Sequence, residues 1–340
     1  MMERIYPWGD GRPYFSQACH MRQLFGGRVQ KLSVDGGFTC PNRDGTVGTE
    51  GCTFCSNEAF TPSYCRRVGS ISTQLEEGKA FHARRYRGAC SYLAYFQSYS
   101  NTYAPLDVLR RRYEEALSVP GVVGIVVGTR PDCVDAPRLN YLAQLARHCY
   151  VAVEYGVESC YDATLKRVRR GHDYEQTCRA VRATAQRGLP CGSHLILGLP
   201  GESRDMMLAE ADLLSQLPIT SLKLHQLQLL KHTYMEHQYL QGNPDLQHGL
   251  SLPDYVGLVC DFLERLRADV AVERLAGEVP PRFQADPSRS WRRADGRLLR
   301  HEEIPSMVER ELLRRGTWQG CRRADVQQAS PVASPQSKIL

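Results

Sequence analysis

The sequence contains no apolar run long enough to span a bilayer, and its opening residues, Met1-Met-Glu-Arg-Ile-Tyr-Pro-Trp8, carry no secretory hydrophobic segment. The expectation is a cytoplasmic protein with no membrane partner. No internal repeat and no low-complexity tract interrupts the stretch from the first strand-like run to about residue 270, so neither a solenoid nor a tandem array is expected. From Arg282 to Arg323 lysine is absent, yet that segment holds eleven arginines against six acidic residues, a local charge of +5 within a formal total of +6. A patch of that kind can follow a phosphate backbone, although a solvated basic face has the same composition. Thirteen cysteines without a signal segment point to a reducing compartment, where metal or catalytic use outweighs disulfides. Ten of them stand singly and read as small buried apolar residues. With 340 residues, 42% hydrophobic and 24% charged, the chain can bury a sizeable core.

Strand-like runs alternate with helical periodicity at spacings typical of βα units. The strand candidates are 31–36, 91–99, 121–128, 150–157, 191–199 and 219–229. Helical periodicity appears in Leu106, Leu109, Tyr113 and Leu117, in Met207, Ala211 and Leu214, and in Tyr255, Val259, Phe262 and Leu266. Within 151–158, Val151, Val153, Tyr155 and Val157 alternate with Ala152, Glu154, Gly156 and Glu158, so both glutamates share one face. Leu195, Leu197 and Leu199 likewise alternate with His194, Ile196 and Gly198. One apolar face for helices and one polar, Gly-rich face predict an α/β fold with a sheet curled into a partial (β/α)6 TIM-like barrel, whereas a doubly wound sheet needs helices on both faces. The expected organisation is a lead-in over 1–30, the barrel over 31–270, a small basic C-terminal cap over 271–323 and a disordered tail over 324–340.

Only Cys40, Cys52 and Cys55 form a ligand-like group, spaced C-x11-C-x2-C directly after Lys31-Leu-Ser-Val-Asp-Gly36. Three thiolates can hold an iron–sulfur cube and leave its fourth iron open. A structural zinc site takes four ligands, and no second C-x-x-C pairs with the nearby Cys65. Spacing alone leaves both metals open.

Cys40-Pro-Asn-Arg-Asp-Gly followed by Gly51-Cys-Thr-Phe54-Cys55 resembles the cluster loop of radical S-adenosylmethionine (SAM) enzymes. The long gap is similar to that of the branch holding the elongator catalytic subunit and oxygen-independent coproporphyrinogen oxidases. Further matches follow in order: Tyr95 to Pro105, Gly128-Thr-Arg-Pro-Asp-Cys133, Val153-Glu-Tyr-Gly-Val-Glu-Ser159, Leu165 to Tyr174, His194 to Glu202, and Leu222-Lys-Leu-His225. Over residues 15–285 the chain resembles the YhcC/YtqA-type radical SAM family.

The resemblance implies a [4Fe–4S] cluster on Cys40, Cys52 and Cys55, SAM on its open iron, and reductive cleavage of SAM to a 5′-deoxyadenosyl radical, with an electron from a flavodoxin- or ferredoxin-type donor. It implies cofactor contacts from Phe54, Glu154, Glu158, Arg170, Ile196 and Gly198, with Glu154 on the ribose hydroxyls. Gln97 stands where many superfamily members grip the SAM amino group with a Gly-Gly-Glu segment. Lys223 and His225 are the substrate-side, catalytic candidates. The resemblance to the elongator branch implies tRNA modified at the C5 side chain of the wobble uridine, and the basic cap, with Trp291 among its arginines, suits such a substrate. The alternatives are a small molecule such as a tetrapyrrole intermediate, and a zinc-stabilised nucleic-acid-binding protein without enzymatic activity. The chain carries no second cysteine triad for an auxiliary cluster. Oligomeric state is not legible in it.

Overall fold

The structure, a computed structural model, describes residues 5–65, 69–83, 91–277, 279–293, 295–300 and 302–323; the expected tail over 324–340 lies outside them. Seven strands are described: β1 Val29–Val34, β2 Ser91–Phe96, β3 Val122–Thr129, β4 Tyr150–Glu158, β5 Cys191–Leu197, β6 Ser221–Gln226 and β7 Ala271–Arg274. They form one parallel sheet in sequence order. The sheet curls, because Lys31 on β1 reaches Glu273 on β7, at its far end, at 2.5 Å. This is the expected partial barrel, with a seventh strand, β7, supplied by the segment expected as the C-terminal cap.

The alternation read in β4 sorts its residues as expected. Val151, Val153, Tyr155 and Val157 belong to the main core, against the outer helices. Ala152 faces inward with Leu93, Tyr95 and Val126, and Met21 and Phe25 of the helix Gln17–Phe25 pack beneath them. The lead-in therefore plugs the bottom of the barrel. The three helical periodicities match helices Leu106–Leu117, Arg204–Ser215 and Leu252–Arg265, each burying its apolar stripe. β2 stops at Phe96, short of the expected residue 99: Tyr99 adopts φ 62°, a left-handed conformation that ends extended pairing.

The segments around Ser16 and Gln319 meet at the outer edge of β7. The Val272 N–H donates to Phe15 O at 2.7 Å, and Ser16 pairs with Val272 in a parallel bridge. Gln319, fully buried, accepts from the Phe15 N–H at 2.9 Å and donates to Arg267 O and Val270 O, both at 2.8 Å. Several of the cap's arginines are paired, since Arg293 meets Glu303, Arg297 meets Asp295, and Arg315 meets Glu311 and Asp261. Trp291 packs on Tyr255 with ring centroids 4.8 Å apart, and its Nε1–H donates to Leu250 O at 3.0 Å. It is thereby fixed as a wall and not as a freely presented stacking surface.

Gln319→Leu keeps the volume of this clasp but strands three backbone groups. We expect it to cost about 3 kcal/mol, read as a lower denaturant midpoint at unchanged slope.

Candidate active site

Inside the barrel, four charged side chains meet on the inward face. Glu154 Oε1 accepts from Lys31 Nζ at 2.7 Å, and Oε2 accepts from Lys223 Nζ at 2.6 Å and from His194 Nε2 at 2.9 Å. Glu273 takes the same two ammoniums, Lys31 at 2.5 Å and Lys223 at 3.2 Å. Lys223 also donates to the Tyr95 hydroxyl at 3.0 Å. Gly192 makes room for this group, because a Cβ there would lie 2.8 Å from Glu154 Cγ. Burial alone would push the Glu154 carboxyl up, but Lys223 and Lys31 outweigh it and hold the group well below the usual carboxylate range. Burial pushes His194 down, and Lys223 adds to it against Glu154; burial, then Arg274, His194 and Lys223, push His225 down further. Both imidazoles are accordingly neutral near pH 7.

Above this layer a cavity of about 230 Å³ opens at the C-terminal ends of the strands. Cys40, Cys52, Phe54 and Cys55 line it, together with Gln97, Glu154, Glu158, Arg170, Ile196 and His225. The loop carrying the cysteines folds back against the segment after β4: the Thr53 N–H donates to Val168 O at 3.0 Å, and Asn42 Nδ2 to Arg169 O at 2.6 Å. Two N–H donors approach the Cys52 sulfur at 3.5 Å, Asn42 Nδ2 and Arg170 Nη1. Arg170 is further held by Gly156 O at 2.6 Å, where any Cβ on residue 156 would strike its Nη2. Glu158, 3.5 Å from Arg170, takes φ 67° where the β4–β5 register shifts, a strained position of the kind found at binding sites.

Two expected site residues lie elsewhere. Lys223 does not line the cavity; its ammonium is tied to Glu154, Glu273 and Tyr95 beneath the floor. Gly198 lines a second, larger cavity next to the first. Gln97 does line the first cavity, with its Oε1 accepting from Ser33 Oγ at 3.1 Å. The residue reading overlooked Arg130, which is almost fully buried on the same cavity wall. Its Nε and Nη2 grip Asp132 at 2.9 and 2.7 Å, and its Nη1 has no hydrogen-bond partner among the described residues. The quoted segment Gly128-Thr-Arg-Pro-Asp-Cys133 held that signal in an arginine two residues before an aspartate.

The donor set fits a cluster. Among the described residues no three His, Cys, Asp or Glu side chains converge as ligands of a single ion do. The three cysteines instead share one cavity, with N–H donors on sulfur of the sort that orient metal-bound thiolates. Buried, cationic N–H groups left unpaired on Arg130 and Arg170 suit an anionic ligand beside them.

Residues 43–214 match the Radical SAM superfamily, and residues 219–298 match the Radical_SAM C-terminal domain. The Bacillus subtilis (strain 168) protein YtqA is 36% identical over 321 residues, covering 94% of this chain and 96% of its own. A tRNA uridine(34) acetyltransferase of Methanocaldococcus infernus is 36% identical over 84 residues, 25% of this chain and 15% of that protein. The solved archaeal Methanocaldococcus infernus Elp3 with N-terminus deletion superposes with a TM-score of 0.63 over 86% of this chain and 64% of that one; at 15% identity it shares the fold. No helix among the described residues is long and apolar enough to cross a membrane. The family match removes the non-enzymatic, zinc-stabilised alternative, since members of this superfamily are enzymes that use a [4Fe–4S] cluster and SAM. The chain belongs to the radical SAM superfamily, in its YhcC/YtqA-type family.

Proposed function

We propose that Cys40, Cys52 and Cys55 hold the cluster, and that the enzyme modifies tRNA at the C5 side chain of the wobble uridine, drawing electrons from a flavodoxin- or ferredoxin-type donor. The observation that carries the reading is the meeting of three thiols and an ionised, inward-facing Glu154 in one cavity. It is joined by the stretch of sequence shared with a tRNA uridine(34) acetyltransferase. When bound, the cluster and SAM supply hydrogen-abstracting radical chemistry.

The chain's own residues prepare the place. Arg170 and Asn42 direct N–H groups at the Cys52 sulfur, offsetting the negative charge of thiolate ligands. Glu154, held ionised by two lysines, is an acceptor for hydroxyl donors such as those of a ribose. The neutral His194 donates its Nε2 hydrogen to Glu154, which fixes the carboxylate's orientation. Phe54 and Ile196 pack in an apolar group with Val168, Leu199 and Leu229, giving the cavity a wall that excludes water. Arg130 and Arg170 offer cationic donors to a carboxylate on the same side, while Gln97 and His225 remain on the wall for the amino group and the substrate.

Anaerobic reconstitution should give a brown protein with about four irons per chain, and Cys52→Ala should abolish that load. Tightly held zinc with no iron would reject the ligand assignment. Glu154→Gln should keep the iron but weaken SAM binding about tenfold in equilibrium dialysis, the loss of one charge-assisted hydrogen bond. For the substrate, mass spectrometry of nucleosides from wild-type and deletion-strain tRNA should show a wobble uridine lacking one modification. Identical nucleoside profiles would reject tRNA as the target.

A further inference from the structure

The second cavity, about 920 Å³, adjoins the cofactor cavity and shares Gln226, Leu227, Gln228 and Gly277 with it. The two cavities thus meet where the end of β6 lies against the chain after β7. Gln226 clamps Gly277 from both sides, its Nε2 donating to the carbonyl at 2.9 Å and its Oε1 accepting from the N–H at 2.8 Å. Gln228 Nε2 donates to the same carbonyl at 3.2 Å, which sets the orientation of its amide. Its Oε1 is left as an acceptor with no hydrogen-bond partner among the described residues. A Cβ at residue 277 would lie 2.9 Å from His225 Nδ1, so a side chain there would displace the imidazole that lines the first cavity.

The walls of the larger chamber are mostly apolar, with Leu199, Leu229, Leu250 and the fixed Trp291 among them, and its cationic groups are Arg289 and Arg300. Its acidic groups are already engaged. Asp245 pairs with Arg167 at 2.6 Å, Asp286 accepts from Tyr239 and Ser288, and Glu202 accepts from Ser159 Oγ at 2.5 Å. A tetrapyrrole bearing several carboxylates would need more cations than two arginines offer. A neutral planar ring on a single phosphate-bearing strand meets the chamber's chemistry.

We propose that this chamber takes one pyrimidine nucleotide turned out of an RNA strand, an inference that rests on the tRNA reading above. The ring lies against the leucines and Trp291, its N3–H donates to Gln228 Oε1, and flanking phosphates meet Arg289 and Arg300. Uracil carries a hydrogen on N3 and cytosine does not, so the same oxygen that holds the ring also selects it.

The test titrates the reconstituted enzyme with two synthetic anticodon stem-loop RNAs that differ only in uridine or cytidine at the wobble position. The uridine RNA should quench tryptophan emission and bind about tenfold more tightly than the cytidine RNA, the worth of one buried hydrogen bond. Trp291→Phe should remove most of the quench without removing binding. Gln228→Leu should abolish the preference between the two RNAs, and Arg300→Ala, at the surface, should weaken both alike. If both RNAs bind equally and leave Trp291 emission unchanged, the chamber assignment is overturned while the tRNA reading survives. If neither RNA binds better than a neutral control protein does, both fall. Quenching of Trp291 by coproporphyrinogen in place of RNA would overturn the substrate class.

Discussion

Two lysines and two glutamates, drawn from β1, β4, β6 and β7, meet inside the barrel, and the positions of the other groups follow from that contact. Taking a charge out of water is costly, so each of these residues needs an opposite charge at close range. Lys223 finds one on the neighbouring β7, but Lys31 on β1 must reach β4 and β7. Lys31 meets both Glu154 and Glu273 only because the first and last strands curl toward one another. The ion group therefore fastens the curved sheet as well as setting the charge of its interior.

The layers above and below take their character from it. Below, the chain is dry: Leu93, Val126 and Ala152 close on Met21 and Phe25. Above, the strand ends carry polar groups around a cavity whose far side is the cysteine loop. Glu154 belongs to both, since its carboxylate is held in the ion layer while the residue also lines the cavity. An acceptor anchored on two ammoniums cannot swing or take up a proton near neutrality, which is the preorganisation a cofactor site requires.

Much of this was legible in the sequence because strands report their faces. The two-residue period of Val151 to Glu158 placed Glu154 and Glu158 inward, and the packing of Val153 and Tyr155 against helices agrees. The cysteine loop stood out because three thiols in close sequence have few other uses. What escaped was long-range. Lys31 and Glu273 are unremarkable as single letters, and their partnership exists only after the sheet curls across 242 residues. Lys223 shares its face with His225, so alternation could not tell that one stops at the ion layer while the other reaches the cavity. Gly198 was assigned by strand parity, but β5 ends at Leu197 and Gly198 turns with φ 88° into the neighbouring chamber. Nor can composition show which of the cap's arginines are paired, as Arg293 is with Glu303 and Arg315 with Asp261.

The bridge between Ser16 and Val272 has a consequence for how the molecule is made. Each strand from β1 to β6 adds to the edge left by its predecessor, so the sheet can grow in the order in which the ribosome delivers it. The segment around Ser16 emerges ahead of β1, yet its partner is the last strand of the sheet. Throughout synthesis it must remain unpaired, and it can dock only when β7 has left the tunnel. Closure of this seam is the contact of greatest sequence separation in the sheet, and loop entropy makes such contacts late and slow. A fold that assembles step by step therefore ends with one concerted act, in which the segments around Ser16 and Gln319 lock together beside the same strand.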